Sequence, residues 1–233
     1  MGFWRAVDWQ RPWLEPYRAL GEAAVARLAA GDSVAAALNG LAPPLRFVAH
    51  DALPPGEAYE AFVQRSASVP TRDNLHDLFN GLVWLRFPAL KRRLNQLQAA
   101  QIAAHGVAAE RGALRDALTL FDENAALWRA PPALVDALRR RDWRELFVVQ
   151  RPLWADAAPV LFGHALMEKL VHPRKAITAH LWVHGDEPQD VVPGTLRARP
   201  FLPLPVLGVP GWWPPNESPG FYDDASVFRV PLG

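Results

Sequence analysis

The chain has 233 residues, of which 50% are apolar and 21% charged, with a net charge of +1 and no cysteine. A chain of this length buries roughly 70–75% of its unfolded surface, enough for one core, and the composition is that of a globular rather than a disordered protein. Near-neutral charge argues against broad electrostatic capture of nucleic acid or acidic membrane, and the missing cysteines exclude disulfides, thiolate metal sites and cysteine nucleophiles.

The opening Met1-Gly2-Phe3-Trp4-Arg5 lacks the apolar core of a signal peptide. No stretch approaches the roughly 20 apolar residues of a spanning helix. The cytoplasm is therefore the expected compartment, with no membrane partner. Trp4, Trp9 and Trp13, set among Pro12 and Pro16, predict an irregular aromatic strap over residues 4–16. Residues 17–30 are Ala-rich and predicted helical up to Gly31, and residues 33–41 form a short helix closed by Pro43-Pro44. A short strand is expected at 45–48, a Pro-Pro-Gly turn at 54–56 and a helix at 57–66.

Thr71, after Pro70, is the expected N-cap of a helix running to about Phe87. Pro88 breaks that helix or starts a second one, through about Ala104, which His105-Gly106 ends. Further helices are predicted over 110–128, 133–140, 143–149 and 157–171, with Arg139-Arg140-Arg141 as a favourable C-terminal run. Residues 176–183 are open between helix and strand, with Ile, Thr, Trp and Val favouring a strand. Ten prolines fall in residues 186–233, which excludes long helices there. The same stretch is too rich in Phe, Trp, Leu and Val for a free tail. The expected fold is mainly α: a single all-α domain of six to eight helices over 1–185, with little or no sheet, wrapped by an extended proline- and aromatic-rich segment at 186–233.

Three predicted helices carry ionisable groups at helical spacing in largely apolar surroundings. On the first, His76, Asn80, Asp73, Trp84 and Asp77 share one arc, opposite Leu75, Leu78, Phe79, Leu82 and Leu85. Its plain reading is a solvated face. On the second, Arg111, Arg115, Thr119 and Asp122 form a stripe, with Asp116 and Glu123 beside it and apolar residues on both flanks. On the third, His164 and Glu168 stand four residues apart on a helix apolar nearly all round. Burying such groups is costly unless they pair or bind something. Lys91, Asn95, Gln98 and His105 line one face of the helix after Pro88, where a solvated stripe is the plain expectation and interhelical hydrogen-bond donation by Asn95 and Gln98, beside Leu90, Leu94 and Leu97, is the alternative. No phosphate-binding glycine loop, nucleotide fingerprint, serine elbow or zinc-protease signature is present.

Two chemistries fit the His-plus-carboxylate inventory, beside a purely structural polar network. His76, Asp122, His164 and Glu168 are candidate ligands of a divalent metal. Alternatively, Glu168 orients His164 as a general base. The leading expectation is a hydrolase with its site between the three striped helices, built from His76, Asp77, Asn80, Asp122, Glu123, His164 and Glu168. Arg115 and Lys175 would hold a small anionic substrate. The alternative is a non-catalytic protein whose polar network fixes helix register and whose surface meets a protein partner.

The runs Arg72-Asp73-Asn74-Leu75-His76-Asp77-Leu78-Phe79-Asn80-Gly81-Leu82-Val83-Trp84-Leu85, Arg115-Asp116-Ala117-Leu118-Thr119-Leu120-Phe121-Asp122-Glu123-Asn124 and Phe162-Gly163-His164-Ala165-Leu166-Met167-Glu168-Lys169 resemble the bacterial domain of unknown function 3025 family. Pro203-Leu204-Pro205-Val206-Leu207-Gly208 and Pro210-Gly211-Trp212-Trp213 fit the same family. The resemblance spans nearly the whole chain and implies one domain that includes the proline-rich end. It implies no mechanism and no catalytic residue.

Overall fold

The computed structural model describes residues 2–106, 112–184, 191–198 and 200–229. After 3-10 turns at Phe3–Ala6 and Pro12–Tyr17 come α1 (Arg18–Ala29), α2 (Val34–Asn39), β1 (Arg46–Ala49), α3 (Tyr59–Ser66), β2 (Ser68–Thr71), α4 (Leu75–Arg86) and α5 (Pro88–His105). The second half holds α6 (Ala113–Asn124), β3 (Ala125–Trp128), α7 (Pro132–Arg140), a π-helical turn (Glu145–Val149), β4 (Val160–Leu161), α8 (His164–Lys169), β5 (Thr178–Val183), α9 (Pro193–Arg197) and β6 (Leu202–Pro205). No helix among the described residues is long and apolar enough to cross a membrane. The predicted helix start at Glu110, the Arg111 member of its stripe and the start of the C-terminal segment at Asp186 lie outside the described residues.

Helix ends follow local chemistry. Ser33 caps α2 by accepting from the Ala36 N–H. At α4 the cap is Asn74, whose Oδ1 accepts from the Asp77 N–H at 2.7 Å, while Asp77 accepts from the Arg72 N–H at 2.6 Å. Thr71, the expected cap, instead closes β2 and is buried. Pro88 starts α5, and Gly106, at a φ of 74° that suits glycine, ends it.

Two sheets correct the expectation of an all-α body with little or no sheet. β1 and β2 pair in parallel, from Arg46 opposite Ser68 to Ala49 opposite Thr71. The second sheet has the order β4-β3-β5-β6. Its central pair is parallel, with Ala126 opposite Leu181, and antiparallel strands flank it on both sides. The predicted helix over 110–128 ends at Asn124, and its last four residues become β3, buried throughout. Phe121, Ala125 and Trp128 keep helical spacing, so the pattern hides the change. A short strand buried on both faces gives no alternation to expose it.

The predicted helix over 157–171 divides in the same way into β4 and the six-residue α8. The break is at Gly163, where a Cβ would collide with the Asn124 backbone. The Phe162 and Gly163 N–H groups both donate to the Ala125 carbonyl there. β6 carries Pro203 and Pro205, tolerated because it is an edge strand that need not donate on its outer side. The proline-rich end therefore contributes α9 and a strand, rather than only an extended wrap.

Buried apolar side chains from Val7 to Phe228 form one cluster. Trp128, Trp154, Phe147 and Tyr222 stack in series at centroid separations of 5.5, 5.5 and 4.9 Å. The C-terminal turns are tied in by Asn216, fully buried, whose Nδ2 donates to the Leu207 and Val209 carbonyls at 2.8 and 2.7 Å. At the other end Tyr17 Oη donates to the Leu161 carbonyl on β4.

Candidate functional site

The three striped segments converge. α4 packs on α8, and α6 packs on both α5 and α8. His76, in the first turn of α4, directs Nδ1 at Glu168 Oε2, 3.0 Å away on α8. His164, the first residue of α8, is buried and places Nε2 3.0 Å from His76 Nε2 and 3.3 Å from Glu123 Oε2. Its Nδ1 has no hydrogen-bond partner and faces Asp122 Oδ2 at 3.9 Å. Asp122 in turn accepts from Lys91 Nζ at 2.6 Å. The tight seat of Gly163 against Asn124 sets His164 beside the last turn of α6, which carries Asp122 and Glu123.

Proton placement follows from these partners. The His76 Nδ1 proton belongs to the bond with Glu168, so its Nε2 presents a lone pair. On His164 a proton on Nε2 donates to His76 Nε2 at 3.0 Å, whereas a proton on Nδ1 faces Asp122 at 3.9 Å and leaves Nε2 a lone pair. In the second tautomer two imidazole lone pairs and a carboxylate oxygen converge on one point, an arrangement that suits a cation between them. Two ligand atoms each about 2.1 Å from one ion, at octahedral or tetrahedral angles, sit about 3.0–3.4 Å apart, which matches the two separations here. One ligand atom from each of His76, Glu123 and His164 lies within 4.8 Å of the others. Among the described residues this is the cluster of three or more such groups with ligand-compatible geometry.

Electrostatics support the neutral imidazole that ligation requires. Burial drives the His164 pKa down to about 3; Lys91 and His76 add to this and Asp122 opposes it. Burial alone would raise the Asp122 carboxyl, but Lys91, His164 and His76 outweigh it and hold the group ionised below its usual range. Glu123 is raised by burial and by the neighbouring Asp122 charge. Two carboxylates that face the two nitrogens of one imidazole thus have pKa values shifted in opposite directions, Asp122 down and paired with Lys91, Glu123 up and set toward His164 Nε2.

The cluster stands at one end of a cavity of about 450 Å³. Its walls include Tyr59, His76, Asp77, Asn80, Lys91, Asn95, Gln98, Arg115, Thr119, Asp122, Glu123 and His164. Asn80 Nδ2 donates to Tyr59 Oη at 3.1 Å, and Asn95 Nδ2 to the Glu60 carbonyl at 3.1 Å. Arg72 closes the mouth against His50 at 2.9 Å. Asp77 and Asn80, expected in the site, line the cavity. Glu168 touches His76 rather than the ligand point, and Asp122 meets Lys91. The carboxylate in the three-residue cluster is Glu123, where Asp122 and Glu168 were the expected ligands. Lys175 lies elsewhere: it pairs with Asp224 at 3.0 Å and sits 4.3 Å over Phe221, against the C-terminal turns.

Lys91, Asn95 and Gln98 were expected on a solvated stripe, yet they are 3, 5 and 7% exposed. Their signal was in the sequence: each neighbours a leucine of the apolar face at helical spacing, so the stripe is narrow and flanked on both sides. Thr119 lay on the polar stripe of the second helix, whereas Tyr59 carried no comparable signal.

The protein family described as Protein of unknown function (DUF3025) matches residues 45–193 and 189–231. The chain belongs to this family. No curated protein and no solved structure matches it. In this DUF3025 protein the three longest motif runs fall on α4, α6 and the β4–α8 corner, and they supply His76, Glu123 and His164 respectively. The shorter proline motifs fall on β6 and the turns after it, away from the cavity.

Proposed function

We propose that this protein is a divalent-metal hydrolase acting on a small polar substrate. The carrying observation is the convergence of the His76 and His164 Nε2 atoms with Glu123 Oε2, while both Nδ1 atoms face carboxylates. His76, whose Nδ1 is hydrogen-bonded to Glu168, has a fixed ring and a more basic ligand nitrogen. Three protein ligands leave coordination positions open toward the cavity, and a metal there would supply an acidified water and a polarised substrate oxygen. Lys91 keeps two N–H donors beyond the one given to Asp122, which suits it to an oxyanion developing nearby. Tyr59, whose hydroxyl is held protonated by burial, is a second donor.

The test is elemental analysis of untagged protein after dialysis against metal-free buffer. The expected result is near one equivalent of zinc, manganese or iron in wild type and little in His164→Ala or Glu123→Gln. Unchanged metal content in both variants, or no metal and no melting shift with any of the three ions, would sink the reading.

A second reading has its own observation. The Lys91–Asp122 pair, with side chains 4% and 21% exposed, is the kind of buried polar contact that fixes helix register in a protein without catalysis. Under that reading the histidines and Glu123 extend the network, and added metal leaves the melt unmoved.

A further inference from the structure

The charged side chains of the cavity wall do not all find each other. Asp122 takes Lys91 at 2.6 Å, and Glu123 faces His164. Asp77 accepts from the backbone N–H of Arg72, and Glu60 gives its main-chain carbonyl to Asn95. Both guanidinium groups of the wall, those of Arg72 and Arg115, are left without a carboxylate partner among the described residues. Arg115 stands about two helical turns before Glu123 on α6, where its Nη1 meets the Gly106 carbonyl at 3.5 Å. Arg72 stands at the mouth, with Nη2 2.9 Å from His50 Nε2.

Arg72 is tied to the metal-ligand cluster by its own backbone. Its N–H donates to Asp77 Oδ2 at 2.6 Å, and the Asp77 N–H donates to Asn74 Oδ1 at 2.7 Å. Residues 72–77 therefore form one closed loop that holds both Arg72 and the ligand residue His76. A guanidinium only donates, so His50 Nε2 is the acceptor and fixes the fork without cancelling its charge. The other N–H donors of Arg72 remain unspent on protein among the described residues. An unneutralised cation beside the ligand cluster marks where a substrate carries its negative charge. The scissile carbon of an acyl ester or amide is uncharged, whereas a phosphate ester carries its charge on the reacting group itself. Metal ions together with Arg and Lys are what stabilise a transferring phosphoryl group, and the planar fork of arginine matches two phosphoryl oxygens.

We propose that the cavity takes a small phosphate ester, with its phosphoryl oxygens held between the His76–Glu123–His164 cluster and the Arg72 guanidinium. Hydrolysis there adds the oxygen of water to phosphorus and breaks the bond from phosphorus to the ester oxygen. The ester oxygen leaves as an alcohol with one proton of that water, and phosphate, or a phosphate monoester from a diester, remains. Arg115, at the other end of the α5–α6 pair, takes no part in holding the phosphoryl group. This substrate class rests on the metal-hydrolase reading for its chemistry, and the binding role of Arg72 is measured separately from metal content.

The experiment is equilibrium dialysis of the purified, metal-supplemented protein against phenylphosphonate, its monomethyl ester and benzoate. The two phosphonates stand for a phosphate monoester and a diester, resist hydrolysis at phosphorus–carbon and share the ring of benzoate. Metal content is measured on the same samples. At least one phosphonate should be retained over benzoate by about tenfold or more, the worth of one charge-assisted hydrogen bond, and the better retained of the two tells monoester from diester. Arg72→Gln, at an exposed position, should remove that preference with metal content and melt unchanged, and Arg72→Lys should restore part of it. Arg174→Gln, at an exposed position away from the cavity, should leave it intact. Equal retention of phosphonates and benzoate, no retention of any probe, or a preference that survives Arg72→Gln overturns the proposal. Bound metal with no phosphonate preference defeats the substrate class and leaves the metal reading standing. An Arg72-dependent preference in a protein that takes up no metal keeps Arg72 as a phosphoryl-binding residue and defeats the metal hydrolase.

Discussion

Lys91 Nζ sits 2.6 Å from Asp122 Oδ1 and 5.5 Å from the centre of the Trp84 ring, with the lysine side chain only 4% exposed. Removing one partner leaves a charge stranded in that environment, which typically costs about 3–5 kcal/mol. Asp122→Ala is therefore expected to lower unfolding stability by about that amount. The double variant Lys91→Met/Asp122→Leu, which removes both charges, should recover most of it. Denaturant unfolding of the single and double variants checks this. A double variant no more stable than Asp122→Ala would mean the loss comes from packing and not from charge.

Glu168 touches the site only through His76 Nδ1. Glu168→Gln keeps the shape but weakens the acceptor, so metal affinity should fall by about 10–100-fold while the stoichiometry stays the same. Competition titration against a chelator of known affinity measures the shift. Loss of all binding would instead place Glu168 among the ligands.

His164 sets the acid limb of the stability profile in chelator-treated protein. Its folded pKa, about 3, lies below the ordinary 6.5. Its contribution is thus fully present above pH 6.5 and is lost as the pH falls toward 3, because the unfolded chain binds the proton and the fold does not. At up to ~1.4 kcal/mol per pH unit, the loss between pH 6.5 and 5 is about 2 kcal/mol. Asp122, held below its usual range, keeps its contribution across that window. Glu123, raised, acts with the opposite sign, losing its contribution as the pH rises through its folded pKa. His180, lowered by burial and by Lys169, adds a slope of the same sign as His164. The quantity to compare is therefore the difference between wild type and His164→Asn, and the variant should show a flatter profile between pH 5 and 7. Parallel profiles would show that His164 is protonated in the fold.

Gly163→Ala should cost about 1–3 kcal/mol, the usual price of forcing an extra methyl into a packed site. The new methyl meets backbone atoms of Glu123 and Asn124, which cannot rotate away as a side chain would. The same displacement pushes His164 from Glu123, so metal binding should weaken along with stability. Gly194→Ala, where nothing lies within reach of a Cβ, serves as the control. Equal melts for the two variants would refute the close packing at the β4–α8 corner.

The legible parts of this protein were those written in local chemistry. Pro88, Gly106 and the amphipathic split around His76 fixed α4 and α5, and the histidine-plus-carboxylate stripes marked three segments that the fold brings together. The sheet was hidden because β3 is four buried residues that continue the spacing of α6, and because β6 carries two prolines. Neither has the alternation that marks a half-buried strand. Which carboxylate joins the histidines was equally hidden. Asp122 and Glu123 are adjacent, and the choice is made by Lys91, some thirty residues earlier in the chain, whose pairing with Asp122 leaves Glu123 to face His164.

No loop separates α6 from β3: Asn124 ends the helix and Ala125 begins the strand. Glu123 is therefore coupled mechanically to the strand register. A one-residue slip of β3 against β5 moves the backbone by about 3.4 Å, whereas a metal site tolerates only about 0.2 Å in its ligand distances. A metal bound there would report on the alignment of β3 with β5, a strand that begins about 55 residues after Glu123.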